Sequence, residues 1–221
     1  MVLDESILRR VILALDTPDL DQACAWVRSF RGRVHAFKVG GALVVRYGLE
    51  GLQPLRRAGA TRLFLDLKFH DIPHTVALAV RQAAELGVWM LTLHISGGKE
   101  MLQAAREAVA APTPRPLLMG VTVLTSLDAP ALKELGIPRS PRAQVLRLAQ
   151  LAHACGLDGV IASPHEIRSL RRRFPAPFLI VTPGVRPAGA PPVDQKRVAT
   201  PGEALRWGAD YLVMGRALLG E

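Results

Sequence analysis

The densest run of chemistry-bearing residues in this 221-residue chain is Asp66-Leu67-Lys68-Phe69-His70-Asp71. On an extended segment, residues two apart point to the same side, so Asp66 and Lys68 are expected to face one common space. Asp71 follows on the turn that leads to Pro73, while Asp16 ends the short apolar run LALD and Lys38 lies near the end of another, FKVG. Brought together, these five residues alternate carboxylate and ammonium. Carboxylates that flank a lysine hold it protonated, which suits it to donate a proton rather than to attack as a nucleophile. The plainer alternative is a structural ion-pair network.

A second group is Gly184-Val185-Arg186 with Gly215-Arg216. Glycines let backbone N–H groups approach an oxyanion, and arginine adds a planar fork of donors, so the pair reads as a phosphate site. Ser163 is followed by Pro164 and Glu166, which favours a helix cap over a nucleophile. His70 and His74 lack a third metal ligand, and His94 reads as a histidine at a strand end. No metal site is expected. Neither a G-x-G-x-x-G run nor a phosphate-binding P-loop occurs, so no nucleotide cofactor is expected either.

The elements that must position these residues alternate strictly. Strands are expected at 11–16, 36–40, 62–68, 90–95, 117–124, 159–163, 178–182 and 210–215, each continuously apolar as strands covered on both faces should be. Thr17-Pro18, Ser140-Pro141, Ser163-Pro164 and Thr200-Pro201 each place a capping hydroxyl before a proline and mark helix starts, two of them as capping boxes through Glu166 and Glu203. Gly59, Gly87, Gly156 and Gly208 mark helix ends, and Pro54 predicts a kink. Eight β/α units without a composition break imply one domain over 1–221, a (β/α)8 barrel. Chemistry in such a barrel sits at the C-terminal ends of the strands, where Asp16, Lys38, Asp66, Lys68, His94, Thr125, Arg186 and Arg216 all fall. The irregular stretch 182–200 reads as a lid or binding loop.

Composition narrows the function classes. The net charge is +9, carried by 28 basic residues of which five are lysines, and aromatic residues make up 5%. The excess suits an anionic ligand. Nucleic acid is not expected, because stacking aromatics are scarce and the run Arg171-Arg172-Arg173 falls at a helix C-terminus, where cations suit the dipole. Two cysteines make no disulfide framework. No apolar run approaches the roughly 20 residues of a membrane span, and residues 1–10 do not read as a secretory signal. The expectation is a cytoplasmic protein with no membrane partner.

Across nearly its whole length the chain resembles the orotidine 5′-phosphate decarboxylase family of the bacterial type. The resemblance is carried by LALD (13–16), FKVG (37–40), FLDLKFHDIPHT (64–75), VTVLTS (121–126), TPGVRP (182–187), DQKRVATP (194–201) and VMGRALL (213–219). It implies that Asp66, Lys68 and Asp71 are catalytic, with Lys38 completing the array, and that the protein is a homodimer in which Asp71 and Thr75 reach the partner's site. It further implies that Asp16 and Lys38 hold ribose hydroxyls, that Thr125 contacts the pyrimidine, and that Arg186, Gln195, Gly215 and Arg216 bind phosphate. The implied reaction is loss of CO2 from orotidine 5′-monophosphate to give UMP, without metal or cofactor. Relatives usually continue into a full eighth helix, whereas Ala217 to Glu221 follow Arg216 here, so the expectation is that residues 1–10 cover that flank, that the helix is reduced to a turn, or that the chain is truncated. Two alternatives remain at this point: a sugar-phosphate decarboxylase or aldolase such as 3-keto-gulonate 6-phosphate decarboxylase or hexulose-phosphate synthase, generally magnesium-dependent, and a non-catalytic barrel that binds phosphorylated ligands or RNA.

Overall fold

Eight parallel strands close into a barrel in sequence order: β1 (Val11–Ala14), β2 (Ala36–Val39), β3 (Leu63–Phe69), β4 (Met90–His94), β5 (Leu117–Val121), β6 (Gly159–Ile161), β7 (Leu179–Thr182) and β8 (Tyr211–Met214). β8 pairs with β1 to complete the ring, Val11 against Leu212. This computed structural model describes residues 4–110, 114–186 and 199–219. The expected (β/α)8 architecture is the one observed.

Two apolar layers follow from strand alternation. Inward side chains Ile12, Ala36, Phe64, Met90, Met119 and Val181 fill the barrel, and the remaining buried residues pack the strands against the helices. The interior is tight enough to dictate a glycine: a Cβ on Gly159 would lie 2.2 Å from the Leu179 carbonyl oxygen and 2.7 Å from Met119 Cε. That requirement explains why β6 opens on glycine despite its poor strand propensity.

Most strands end one to three residues before the apolar run does. β5 stops at Val121 although the run continues through Val123, which stays buried, because the chain leaves the ladder to form the rim. Capping chemistry is borne out at Ser140, which accepts a hydrogen bond from the Ala143 N–H, and at Thr200, whose box with Glu203 is complete. It needs correction elsewhere. The helix Leu20–Phe30 is capped by Asp19 rather than Thr17, whose hydroxyl instead accepts from the Asp19 N–H and donates to Gln22. Ser163 caps a 3-10 turn, Pro164–Glu166, that precedes the helix Ile167–Arg173, so no capping box forms there. Pro54 stands in the first turn of the helix Leu52–Ala58, where no intrahelical donor is lost. The expected kink is a break after the helix Gly41–Tyr47. Gly59, Gly87, Gly156 and Gly208 follow helices at positive φ, as expected. After β8 the described chain forms the short helix Arg216–Leu219, and Leu218 and Leu219 pack on the outer layer.

Candidate active site

The C-terminal ends of the strands form a cleft of about 330 Å3. Phe64, Val121, Ile161 and Val213 supply apolar floor and wall, and Asp16, Lys38, Asp66 and Lys68 line one side. An apolar cavity with a few convergent polar groups is the usual form of a small-molecule site.

The four charged residues make one chain of contacts. Lys38 Nζ lies 2.9 Å from Asp16 Oδ1 and 3.4 Å from Asp66 Oδ2. Lys68 Nζ lies 3.0 Å from both oxygens of Asp66. Their side chains grade from the interior outward: Lys38 is 11% exposed, Asp66 12%, Lys68 37% and Asp16 62%. Burial alone would push Lys38 toward its neutral form, but the carboxylates of Asp66 and Asp16 outweigh it and hold its pKa above the ordinary lysine value. Burial likewise opposes charge on Asp66, and Lys38, Lys68 and the hydroxyl of Thr92 together hold its pKa below the usual carboxylate range. The pattern is a carboxylate kept ionised between two ammonium groups.

Asp66 and Lys68 do share a side of β3, yet plain two-residue alternation is not what places them there. The register between β3 and β4 runs Phe64↔Met90, Leu65↔Leu91, then Phe69↔Leu93, so a bulge holds Asp66 and Lys68. Lys68 has φ +52°, the one described residue other than glycine with positive φ. Bulges re-aim side chains in this way. Thr92, which the sequence reading passed over, accepts a hydrogen bond from the Lys68 N–H at 3.0 Å and donates to Asp66 Oδ1 at 2.9 Å. Its only signal in the sequence is a hydroxyl inside an apolar strand, MLTLH.

Thr125, Gly184, Arg186, Gly215 and Arg216 line the same cleft, as expected for residues at strand ends. Gly184 has φ +80°, a conformation that lets the chain turn just after β7. The turn is pinned by a bridge between Val185 and Ala199 and by the Arg186 N–H donating to the Ala199 carbonyl. Gly215 lies beside β1, where a Cβ would stand 3.4 Å from Ala14 Cβ and 3.9 Å from Asp16 Oδ2. Ser163, fully buried, also lines the cleft.

Asp71 and Thr75 are exposed and do not line this cleft. Asp71 Oδ1 accepts from the Ile72 N–H at 2.6 Å, and Ile72 itself is 66% exposed. Gln195 lies outside the described residues, as do most of 182–200. His94 faces His70 with ring centroids 5.3 Å apart; burial, with His70 and Lys68 adding to it, lowers its pKa. Among the described residues no group of three or more metal-ligating side chains forms, and no helix is long and apolar enough to cross a membrane.

Residues 9–221 match the Orotidine 5′-phosphate decarboxylase / HUMPS family. The chain is 50% identical over 209 residues to the orotidine 5′-phosphate decarboxylase of Nitrosococcus oceani, covering 95% of this chain and 90% of that one. It is 51% identical to that of Halorhodospira halophila, covering 95% and 88%. Among solved structures, the orotidine 5′-phosphate decarboxylase of Lactobacillus acidophilus superposes with a TM-score of 0.79 at 37% identity, covering 94% of this chain and 90% of that chain.

Proposed function

The chain belongs to the orotidine 5′-phosphate decarboxylase / HUMPS family, and from that premise we propose that it decarboxylates orotidine 5′-monophosphate to UMP and CO2. The observation that carries the reading is the run Asp16–Lys38–Asp66–Lys68 opening into the same cleft as Arg186 and Arg216. In the proposed step the bond from the ring carbon to the carboxylate breaks, CO2 leaves, and the electron pair stays on that carbon. The Lys68 ammonium, 3.0 Å from Asp66 and partly open to the cleft, stabilises that charge and then delivers the proton. Asp66 and Lys38 fix where the ammonium stands before substrate arrives, so little reorganisation is left for the reaction itself.

Thr125 is assigned to the pyrimidine, Asp16 and Lys38 to the ribose, and Arg186, Gly215 and Arg216, with Gln195, to the phosphate. Phosphate binding then supplies remote binding energy that can be used at the reacting carbon. Asp71 and Thr75 are assigned to the site of a second copy in a homodimer. Their exposure, beside the exposed Ile72, supports this assignment. No metal or cofactor enters the proposed step. On this reading the protein acts in pyrimidine synthesis, and we assign it to the cytoplasm.

The test is to offer the purified chain orotidine monophosphate, 3-keto-gulonate 6-phosphate and the hexulose-phosphate synthase substrates, each in EDTA and then with magnesium. Turnover of orotidine monophosphate in EDTA supports the proposal. Magnesium-dependent turnover of a sugar phosphate, with orotidine monophosphate untouched, would replace it.

A further inference from the structure

Thr92 lies in the middle of β4 and is fully buried. Between the pairs Leu65↔Leu91 and Phe69↔Leu93, β3 carries three residues and β4 carries Thr92 alone. A regular ladder would offer the Lys68 N–H a carbonyl; at this bulge it donates to Thr92 Oγ1 instead, at 3.0 Å. An N–H can only donate, so the hydroxyl keeps its own proton for another acceptor. That proton goes to Asp66 Oδ1 at 2.9 Å. A single hydroxyl therefore ties the main chain that aims Lys68 to the carboxylate that the Lys68 ammonium touches.

The tie has work to do. A non-glycine residue at φ +52° is disfavoured, and such a conformation persists where its surroundings over-determine it. Valine in place of Thr92 would keep the shape and the apolar packing while removing both the acceptor and the donor.

We infer that Thr92 is a positioning residue for the reaction: its hydroxyl locks the Lys68 backbone and the Asp66 carboxylate into one unit, so that the ammonium is presented to the cleft. Thr92 does not line the cleft and acts through these two neighbours. The inference rests on the roles proposed above for Asp66 and Lys68.

The experiment compares wild type, Thr92→Val and Thr92→Ser in kcat and KM for orotidine monophosphate, with UMP affinity and melting temperature measured on the same samples. Thr92→Val is expected to lose about 10–100-fold in kcat, the scale on which small misplacements of reacting groups act, with KM within about threefold. UMP affinity is expected to hold, and Thr92→Ser to recover most of the rate. If Thr92→Val does not fold, Thr92→Cys replaces it, keeping the volume with a far weaker donor and acceptor. An unchanged kcat, a loss confined to KM, or equal losses in the serine and the valine or cysteine variants would each overturn the inference. Wild type without turnover would strike the functional reading itself. An active wild type with an indifferent Thr92→Val strikes this inference alone.

Discussion

At the C-terminal end of the strands, Asp66 takes its hydrogen bonds from the side chains of Lys68 and Thr92, with Lys38 close by. At the N-terminal end, Asp158 binds Arg115 through both oxygens and accepts from the Leu118 N–H at 2.8 Å. Asp210 there binds Arg171 and accepts from the Ile180 N–H at 2.7 Å. Arg171 also donates to the carbonyls of Gly208, Phe174 and Phe178. The lower carboxylates staple neighbouring strands through main chain, while the upper one holds two lysines at the wall of a cleft. The floor below is closed by His35, Trp89 and Tyr211, whose ring centroids lie 4.4–5.4 Å apart. Ion pairs alone thus do not mark a site in this barrel; what each carboxylate is bonded to does.

Variants at the two ends should separate chemistry from stability. Lys68→Ala removes the proposed proton donor and its charge, and kcat is expected to fall by at least ~10⁴-fold while the melting temperature stays within a few degrees. A large drop in melting temperature would instead make Lys68 part of the scaffold. Arg216→Ala, in the lining of the same cleft, is expected to weaken UMP binding about 10–100-fold by calorimetry, the worth of hydrogen bonds to a charged group. Unaltered affinity would remove Arg216 from the phosphate site. At the lower end Asp158→Ala leaves the Arg115 guanidinium and the Leu118 N–H unmatched, for a loss of about 2–3 kcal/mol, or roughly 5–10 °C in melting temperature.

The smallest effect concerns His35. Burial, with Arg62 and Arg10 adding to it, lowers its pKa to about 4 from the ordinary 6.5. Between those values the unfolded chain binds more protons than the folded one, so stability falls as pH drops from about 6.5 toward 4. His35→Phe should flatten that slope by on the order of 1 kcal/mol, read from denaturant midpoints at several pH values. An unchanged slope would show that His35 does not set it. The upper array adds slopes at the extremes: stability held by Asp66 is lost in acid as pH falls through its lowered pKa, and that held by Lys38 is lost in alkali as pH rises through its raised one.

The barrel was legible in the sequence because buried parallel strands are continuously apolar and their helices carry hydroxyl-proline starts. The cleft residues were legible because charge at the end of an apolar run is unusual. What escaped depends on partners distant in sequence. The bulge that turns Lys68 into the cleft is set by the pairing of β3 with Leu91 and Leu93, which no local period records. Thr92 reads as an ordinary strand residue until that bulge gives its hydroxyl two partners. Thr17 was displaced as a helix cap because Asp19 reaches the N–H groups of Asp21 and Gln22. Arg115, Asp158 and Asp210 lie at strand beginnings, where charge reads as ordinary surface.

On this reading the charged array at the C-terminal end carries the chemistry and the ion pairs at the other end carry the fold. The most direct test is UMP formation from orotidine monophosphate, in EDTA, by Lys68→Ala and Asp158→Ala side by side with wild type, each well below its own melting temperature. A wild-type rate is expected for Asp158→Ala and none detectable for Lys68→Ala. Wild-type turnover by Lys68→Ala, or an equal loss in both variants, would contradict it.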